Sequence, residues 1–144
     1  MRAIAAAAAA LAAFLAVAGA ASGRSIHGTA RADRLVGTSA ADRISGRGGN
    51  DRLYGRGAND RLLGQAGNDR LNGQDGNDRL DGGPGDDRLT AGPDADDLVA
   101  GDGNDVIDAR NGVEDSIDCG PGDDTAIVDA REDGVLDCEN VQSP

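Results

Sequence analysis

From Gly28 to Asp108 the chain is written in nine consecutive units of nine residues without an insertion: GTARADRLV, GTSAADRIS, GRGGNDRLY, GRGANDRLL, GQAGNDRLN, GQDGNDRLD, GGPGDDRLT, AGPDADDLV and AGDGNDVID. The sixth place is aspartate every time: Asp33, Asp42, Asp51, Asp60, Asp69, Asp78, Asp87, Asp96 and Asp105. The eighth is always Leu or Ile: Leu35, Ile44, Leu53, Leu62, Leu71, Leu80, Leu89, Leu98 and Ile107. Gly holds the first place in seven units and the fourth in five. Self-similarity at a fixed period is the mark of a repeat architecture, and it governs every later inference about the chain.

A helix cannot carry this pattern, because a glycine costs about 1 kcal/mol in a helix interior and the apolar period is not 3.6. Each unit reads instead as a turn over its first six residues, where Gly and Asn-Asp supply positive-φ and side-chain-bonded conformations. A short strand follows, such as Arg70-Leu71-Asn72, whose central aliphatic points one way and whose neighbours point the other. Strands of three residues are stable only in stacks. The expected fold is therefore all-β, a parallel β-solenoid with two units per coil and two thin sheets facing each other across the leucines. Unit n then lies beside unit n+2, which sets Asp51, Asp69, Asp87 and Asp105 along one turn edge and Asp42, Asp60, Asp78 and Asp96 along the other.

Neighbouring strands lie about 4.8 Å apart. At that spacing bare carboxylates repel by roughly 3 kcal/mol per pair at an effective dielectric near 20. A divalent ion between the turns converts the repulsion into attraction. The donors on offer are carboxylates and carbonyls, hard oxygens that suit calcium, with its six to eight ligands, better than magnesium or zinc. Several Ca2+ ions are expected, held by the nine sixth-position aspartates. Further oxygens are expected from the turn carbonyls of Gly46, Gly49, Gly64, Gly67, Gly73, Gly76, Gly82, Gly85 and Gly103, since glycine lets a carbonyl turn towards an ion. An EF-hand is excluded, because its twelve-residue loop ends in glutamate and the repeats contain none.

GGPGDDRLT, at Gly82 to Thr90, meets every specified position of the pattern G-G-x-G-x-D-x-U-x, while GQDGNDRLD and GQAGNDRLN miss only its second glycine. On these units, the whole segment from Gly28 to Asp108 resembles the RTX, or haemolysin-type, calcium-binding repeats. The resemblance implies that the first six residues of each unit bind calcium through the aspartate and turn carbonyls, and that the last three form the strand of a β-roll. Arg31, Ala40, Ala58 and Asp94 depart from it at the fourth place. Sites between Asp51 and Asp105 follow the pattern best, and those of Asp33 and Asp42 least. Members of that family commonly leave the cell by a type I route and carry a toxin, protease or lipase domain. This chain offers no such domain, no G-x-S-x-G elbow and a single histidine, His27, without a nucleophile beside it, so no enzymatic activity is expected.

The flanks complete the reading. Met1 to Gly23 has a short n-region with Arg2, an apolar stretch from Ala3 to about Val17 and small residues offering A-x-A sites ending at Ala18 or Ala20. We expect a Sec-type signal peptide over 1–20, a short linker over 21–27, the repeats over 28–108 and, over 109–144, a degenerate repeat followed by a C-terminal cap. The product is expected to be secreted, with no transmembrane segment after the signal. The absence of lysine and the heavy use of Ala, Gly, Asp and Arg point to a GC-rich bacterial coding sequence. Without Arg2 the chain has 13 Arg against 26 Asp and Glu, a net charge of −13, which speaks against a nucleic-acid partner. Cys119 and Cys138, in an exported chain, are expected to pair as a disulfide that closes the cap.

Beyond Asp108 the period slips by one residue in ARNGVEDSID and resumes in CGPGDDTAI, where Asp124 stands at the place of a repeat aspartate. Arginine fills the seventh place of the first seven units, from Arg34 to Arg88. Two outward rows of guanidinium groups follow, a solvated face that discourages sheet aggregation. Their alternative use is adhesion, in which rows on a calcium-built scaffold hold an acidic polysaccharide or another cell-surface polymer.

Overall fold

A computed structural model of the chain describes residues 22–129 and 134–143, so the signal peptide expected over 1–20 lies outside the described residues. Fourteen strands succeed one another: β1 Ser25–His27, β2 Arg34–Val36, β3 Arg43–Gly48, β4 Arg52–Arg56, β5 Arg61–Ala66, β6 Arg70–Gln74, β7 Arg79–Pro84, β8 Arg88–Thr90, β9 Asp97–Asp102, β10 Val106–Ala109, β11 Ser116–Asp118, β12 Thr125–Val128, β13 Gly134–Leu136 and β14 Asn140–Gln142. Among the described residues there is no helix, and none that could cross a membrane. Odd-numbered strands make one seven-stranded sheet and even-numbered strands the other, each in chain order. All pairings are parallel. Arg34, Arg52, Arg70 and Arg88 lie in one register row, each eighteen residues from the next. The fold is the expected β-solenoid, with two units per coil.

The alternation of side chains explains the strand lengths. In RLYGR, RLLGQA and RLNGQ the first residue is exposed, the second buried, the third half-buried and the fourth buried. The glycine that opens each following unit thus faces inward, like the leucine two places before it. Extension therefore continues past the three residues expected and reaches six in β3, β5, β7 and β9. The chain then turns through positive φ at the second and fourth places of the unit. Gly67 (φ 127°) does so without strain, whereas Ala58 (φ 64°), Arg47 (φ 80°) and Arg56 (φ 92°) hold a conformation that costs an L-residue about 1–2 kcal/mol.

The core is a single column. Ile44, Leu53, Leu62, Leu71, Leu80, Leu89, Leu98, Ile107 and Ile117 are all at most 1% exposed, and the inward first-position residues grow from Gly to Ala91, Ala100, Ala109, Cys119 and Val128 along the chain. Where Val128 fills this space, the eighth place shrinks to Ala126, so the cross-section is kept. Close packing requires such compensation.

Both flanks join the coil. Ser25–His27, expected as linker, pairs with Arg43 to Ser45. The extra residue of ARNGVEDSID loops out around Gly112–Glu114, so Ser116 lies beside Asp97 and Thr125 beside Val106 at a step of nineteen. β13 and β14 add one more strand to each sheet. Cys119 and Cys138 are disulfide-bonded with their Cα atoms 5.2 Å apart, tying this last coil to the one before it. A loop of this length contributes roughly 3 kcal/mol by restricting the unfolded chain.

Candidate metal centre

The coil period places the aspartates in two buried columns. Asp33, Asp51, Asp69, Asp87, Asp105 and Asp124 follow one turn edge, and Asp42, Asp60, Asp78, Asp96 and Asp115 the other. Each carboxylate after Asp33 reaches back one coil. The Asp51 amide donates to Asp69 Oδ1 at 2.7 Å, Asp69 to Asp87 at 2.7 Å and Asp87 to Asp105 at 2.7 Å, and Asp33 donates in the same way to Asp51 at 2.8 Å. On the opposite edge Asp42 donates to Asp60 at 2.6 Å, and Asp60 to Asp78 and Asp78 to Asp96 at 2.7 Å each. Asp96 and Asp105 donate to Asp115 and Asp124, two aspartates beyond the nine units. The first column ends where the Asp124 amide donates to Glu139 Oε2 at 3.0 Å.

One oxygen of each carboxylate is thus committed, and the other decides the chemistry. The Oδ2 atoms of Asp51, Asp60, Asp69, Asp78, Asp87, Asp96, Asp105 and Asp124 are buried without a hydrogen-bond partner. Burial of an unpaired carboxylate oxygen is costly unless a cation or a proton satisfies it. The carbonyl oxygens of Gly64, Gly73, Gly82, Ala91 and Ala100 stand close to the Oδ2 atoms of Asp51, Asp60, Asp69, Asp78 and Asp87, whereas that of Gly46 lies near Asp33 Oδ2. A Cβ on Gly46 would meet Asp51 Oδ2 at 2.2 Å and the Gly64 carbonyl at 2.8 Å, and one on Gly64 would meet Asp69 Oδ2 at 2.5 Å and the Gly82 carbonyl at 2.6 Å. At these two places glycine leaves the two oxygens room. The fourth-position carbonyls of Gly49, Gly67, Gly85 and Gly103 lie elsewhere, each against the backbone of the next coil's turn, the first two near the Oδ1 atoms of Asn50 and Asn68. Gly76 takes φ 117° at the same place on the other edge.

Asp33 and Asp42 differ from the rest. In their units the second place is threonine. The Thr29 amide and hydroxyl donate to Asp33 Oδ2 at 2.6 and 2.8 Å, and those of Thr38 to Asp42 Oδ2 at 2.5 and 2.9 Å. These two carboxylates are satisfied by the protein itself. Asp115 Oδ2 likewise accepts the Asn111 side-chain amide at 3.0 Å. Sequence reasoning missed Asp115 and Glu139, the first because the inserted residue shifts the period and the second because it is not an aspartate. The D-S-I-D ending of ARNGVEDSID, so like D-R-L-D, was the available signal.

Electrostatics mark the same residues. Burial, only partly offset by the hydrogen bond from the preceding amide, raises Asp87 to about 8, Asp78 to about 7, and Asp60, Asp96 and Asp105 to about 6. Repulsion from neighbouring carboxylates adds to the rise, and Asp51, Asp69 and Asp124 move in the same direction for the same reasons. Among the described residues no three His, Cys, Asp or Glu side chains converge on one point. A cation in either column must draw much of its shell from carbonyls, which fits calcium's tolerance for mixed oxygen ligands.

Outside the columns, the fifth positions form a second, exposed ladder: the Asn68 backbone N–H donates to Asn50 Oδ1 at 3.0 Å, and the Asn104 backbone N–H to Asp86 Oδ1 at 3.0 Å. A groove of about 420 Å3 runs along this edge, lined by Asn50, Asn68, Asn104, Arg52, Arg70 and Arg88 among others. On the other sheet, Arg43, Arg61 and Arg79 form a row closed by an ion pair between Arg79 and Asp97.

The chain matches the RTX calcium-binding nonapeptide repeat over residues 27–62, 54–89 and 90–126, well over half of its length. No curated protein and no solved structure matches it.

Proposed function

We propose a function from one premise: the chain belongs to the RTX calcium-binding nonapeptide repeat family. It is a secreted, non-enzymatic β-roll whose coils are assembled by calcium. The observation that carries this reading is the set of eight buried Oδ2 atoms without partners, five on one edge and three on the other. Asp51, Asp60, Asp69, Asp78, Asp87, Asp96, Asp105 and Asp124 supply the carboxylates, and the first-position carbonyls of Gly64, Gly73, Gly82, Ala91 and Ala100 the neighbouring oxygens. Bound calcium supplies the positive charge that lets stacked carboxylates stay ionised. Asp33 and Asp42 contribute least, because threonine already occupies their second oxygens.

Counting ions by equilibrium dialysis, with calorimetric titration, tests the proposal. Asp69→Asn and Asp87→Asn should each reduce the number of bound ions and weaken calcium binding roughly tenfold or more, since 1.4 kcal/mol of lost interaction is a factor of ten. Thr29→Val should leave the ion count unchanged. A chain that takes up no calcium at millimolar concentration, or whose Asp→Asn variants bind as the parent does, defeats the reading.

The groove flanked by Arg52, Arg70 and Arg88 favours a second use of the scaffold, capture of an acidic polysaccharide at the extracellular surface. Guanidinium groups recur there once per coil, suited to a polymer with one carboxylate or sulfate per sugar. Replacing all three by Gln should abolish retention on an acidic-glycan column and spare the fold; unaltered retention rules this use out.

A further inference from the structure

Charge is distributed along the solenoid axis with a sharp polarity that the net value conceals. From Ser22 to Arg70 there are nine arginines and five acidic residues, and from Leu71 to Pro144 four arginines and twenty-one acidic residues. Of the five in the first part, Asp42, Asp51, Asp60 and Asp69 are buried in the columns and Asp33 is held by Thr29. The surface of the first coils is therefore cationic, with Arg31, Arg34, Arg43, Arg47, Arg52 and Arg56 all exposed. At the other end, Asp123, Asp137 and Glu139 are exposed.

Among the described residues β1 and β2 are the outermost strands at one end and β13 and β14 at the other, each paired on one side only. The apolar column is open at the last coil, where Val141 is 51% exposed and Val135 only partly covered, with Leu136 exposed on the outer face beside it, and Ile26 and Leu35 are only partly covered at the first. An unpaired edge in register with an open apolar column is a template for another strand.

From these features we propose that the solenoid stacks head to tail on further copies of itself, the cationic first coil of one molecule seating on the acidic last coil of the next. The junction repeats what each coil already does to its neighbour: two sheets gain a strand, the apolar column runs on from Val141 to Leu35, and the aspartate column passes from Glu139 to Asp33. Opposite charges at the two ends favour this order, while like ends repel. The contact is heterologous and does not close on itself, so it yields linear, open-ended assemblies. An external acidic glycan would compete for the same first coil.

The proposal rests on the secreted, calcium-assembled state described above. Its test uses the chain beginning after Ala20 in millimolar calcium, with circular dichroism confirming the folded state and N-terminal sequencing of the exported product confirming the start. Sedimentation and electron microscopy should show linear multimers at low salt that disperse at high salt. A variant with Arg31→Glu and Arg34→Glu, and another with Leu136→Arg and Asp137→Arg, should each remain monomeric, and mixing the two should restore multimers through the exchanged charges. A folded parent chain that stays monomeric at low salt overturns the proposal, as does a pair of variants that fails to assemble on mixing while each is folded. Retention on an acidic-glycan column by a chain that never multimerises assigns the basic end to that ligand instead.

Discussion

Chelation of calcium at neutral pH is expected to dissolve most of the solenoid, with the far-ultraviolet β signal falling towards that of an unfolded chain and returning when calcium is restored. Eight buried carboxylate oxygens have no partner in the protein, and neighbouring carboxylates on each edge are one strand spacing apart. Each ion at a concentration a hundredfold above its dissociation constant contributes about 2.7 kcal/mol of stability, so losing several removes more than the 5–15 kcal/mol that holds a typical domain together. Hydrogen exchange should show the coil that carries Thr29 and Thr38 opening last. A β signal and exchange protection that survive excess chelator unchanged would falsify the calcium requirement.

Protons should substitute for calcium. The folded-state values of Asp60, Asp96 and Asp105 lie near 6, that of Asp78 near 7 and that of Asp87 near 8, against 3.8 for an ordinary aspartate. A raised folded-state value means that the folded chain binds the proton more tightly than the unfolded chain. The stabilisation is complete below about 3.8 and is lost as pH rises through 6 to 8. Metal-free protein should therefore show little β structure at pH 8, gain it progressively on acidification and hold it near pH 4. In saturating calcium the same titration should be almost flat, because the ion already neutralises the columns. A metal-free chain whose β content falls on acidification across this window contradicts the account of the columns.

Much of this was legible in the sequence because the period is short and unbroken: one aspartate and one aliphatic per nine residues determine the coil, its two edges and its single-file core. What escaped was set by three dimensions. Inward-facing first positions lengthened the strands beyond the expected three residues, a consequence of alternation that Gly46 or Gly64 does not reveal until its neighbours are placed. Asp115 was hidden by the extra residue before it, although the structure loops that residue out and restores the column. Thr29 and Thr38 each sit four places before an aspartate and bond its second oxygen, a pairing that only the closed turn brings about. Cys119 and Cys138 pair as expected, and the tail they tie carries β13 and β14, which extend the same two sheets.

The two threonine-closed turns also have a meaning in time. Translation releases a polypeptide amino end first, so on the proposed calcium-built scaffold the turns that hydroxyl groups complete emerge before those that wait for an ion. On that reading winding begins there, on a ready-made starter, and advances in one direction as calcium fills the later turns.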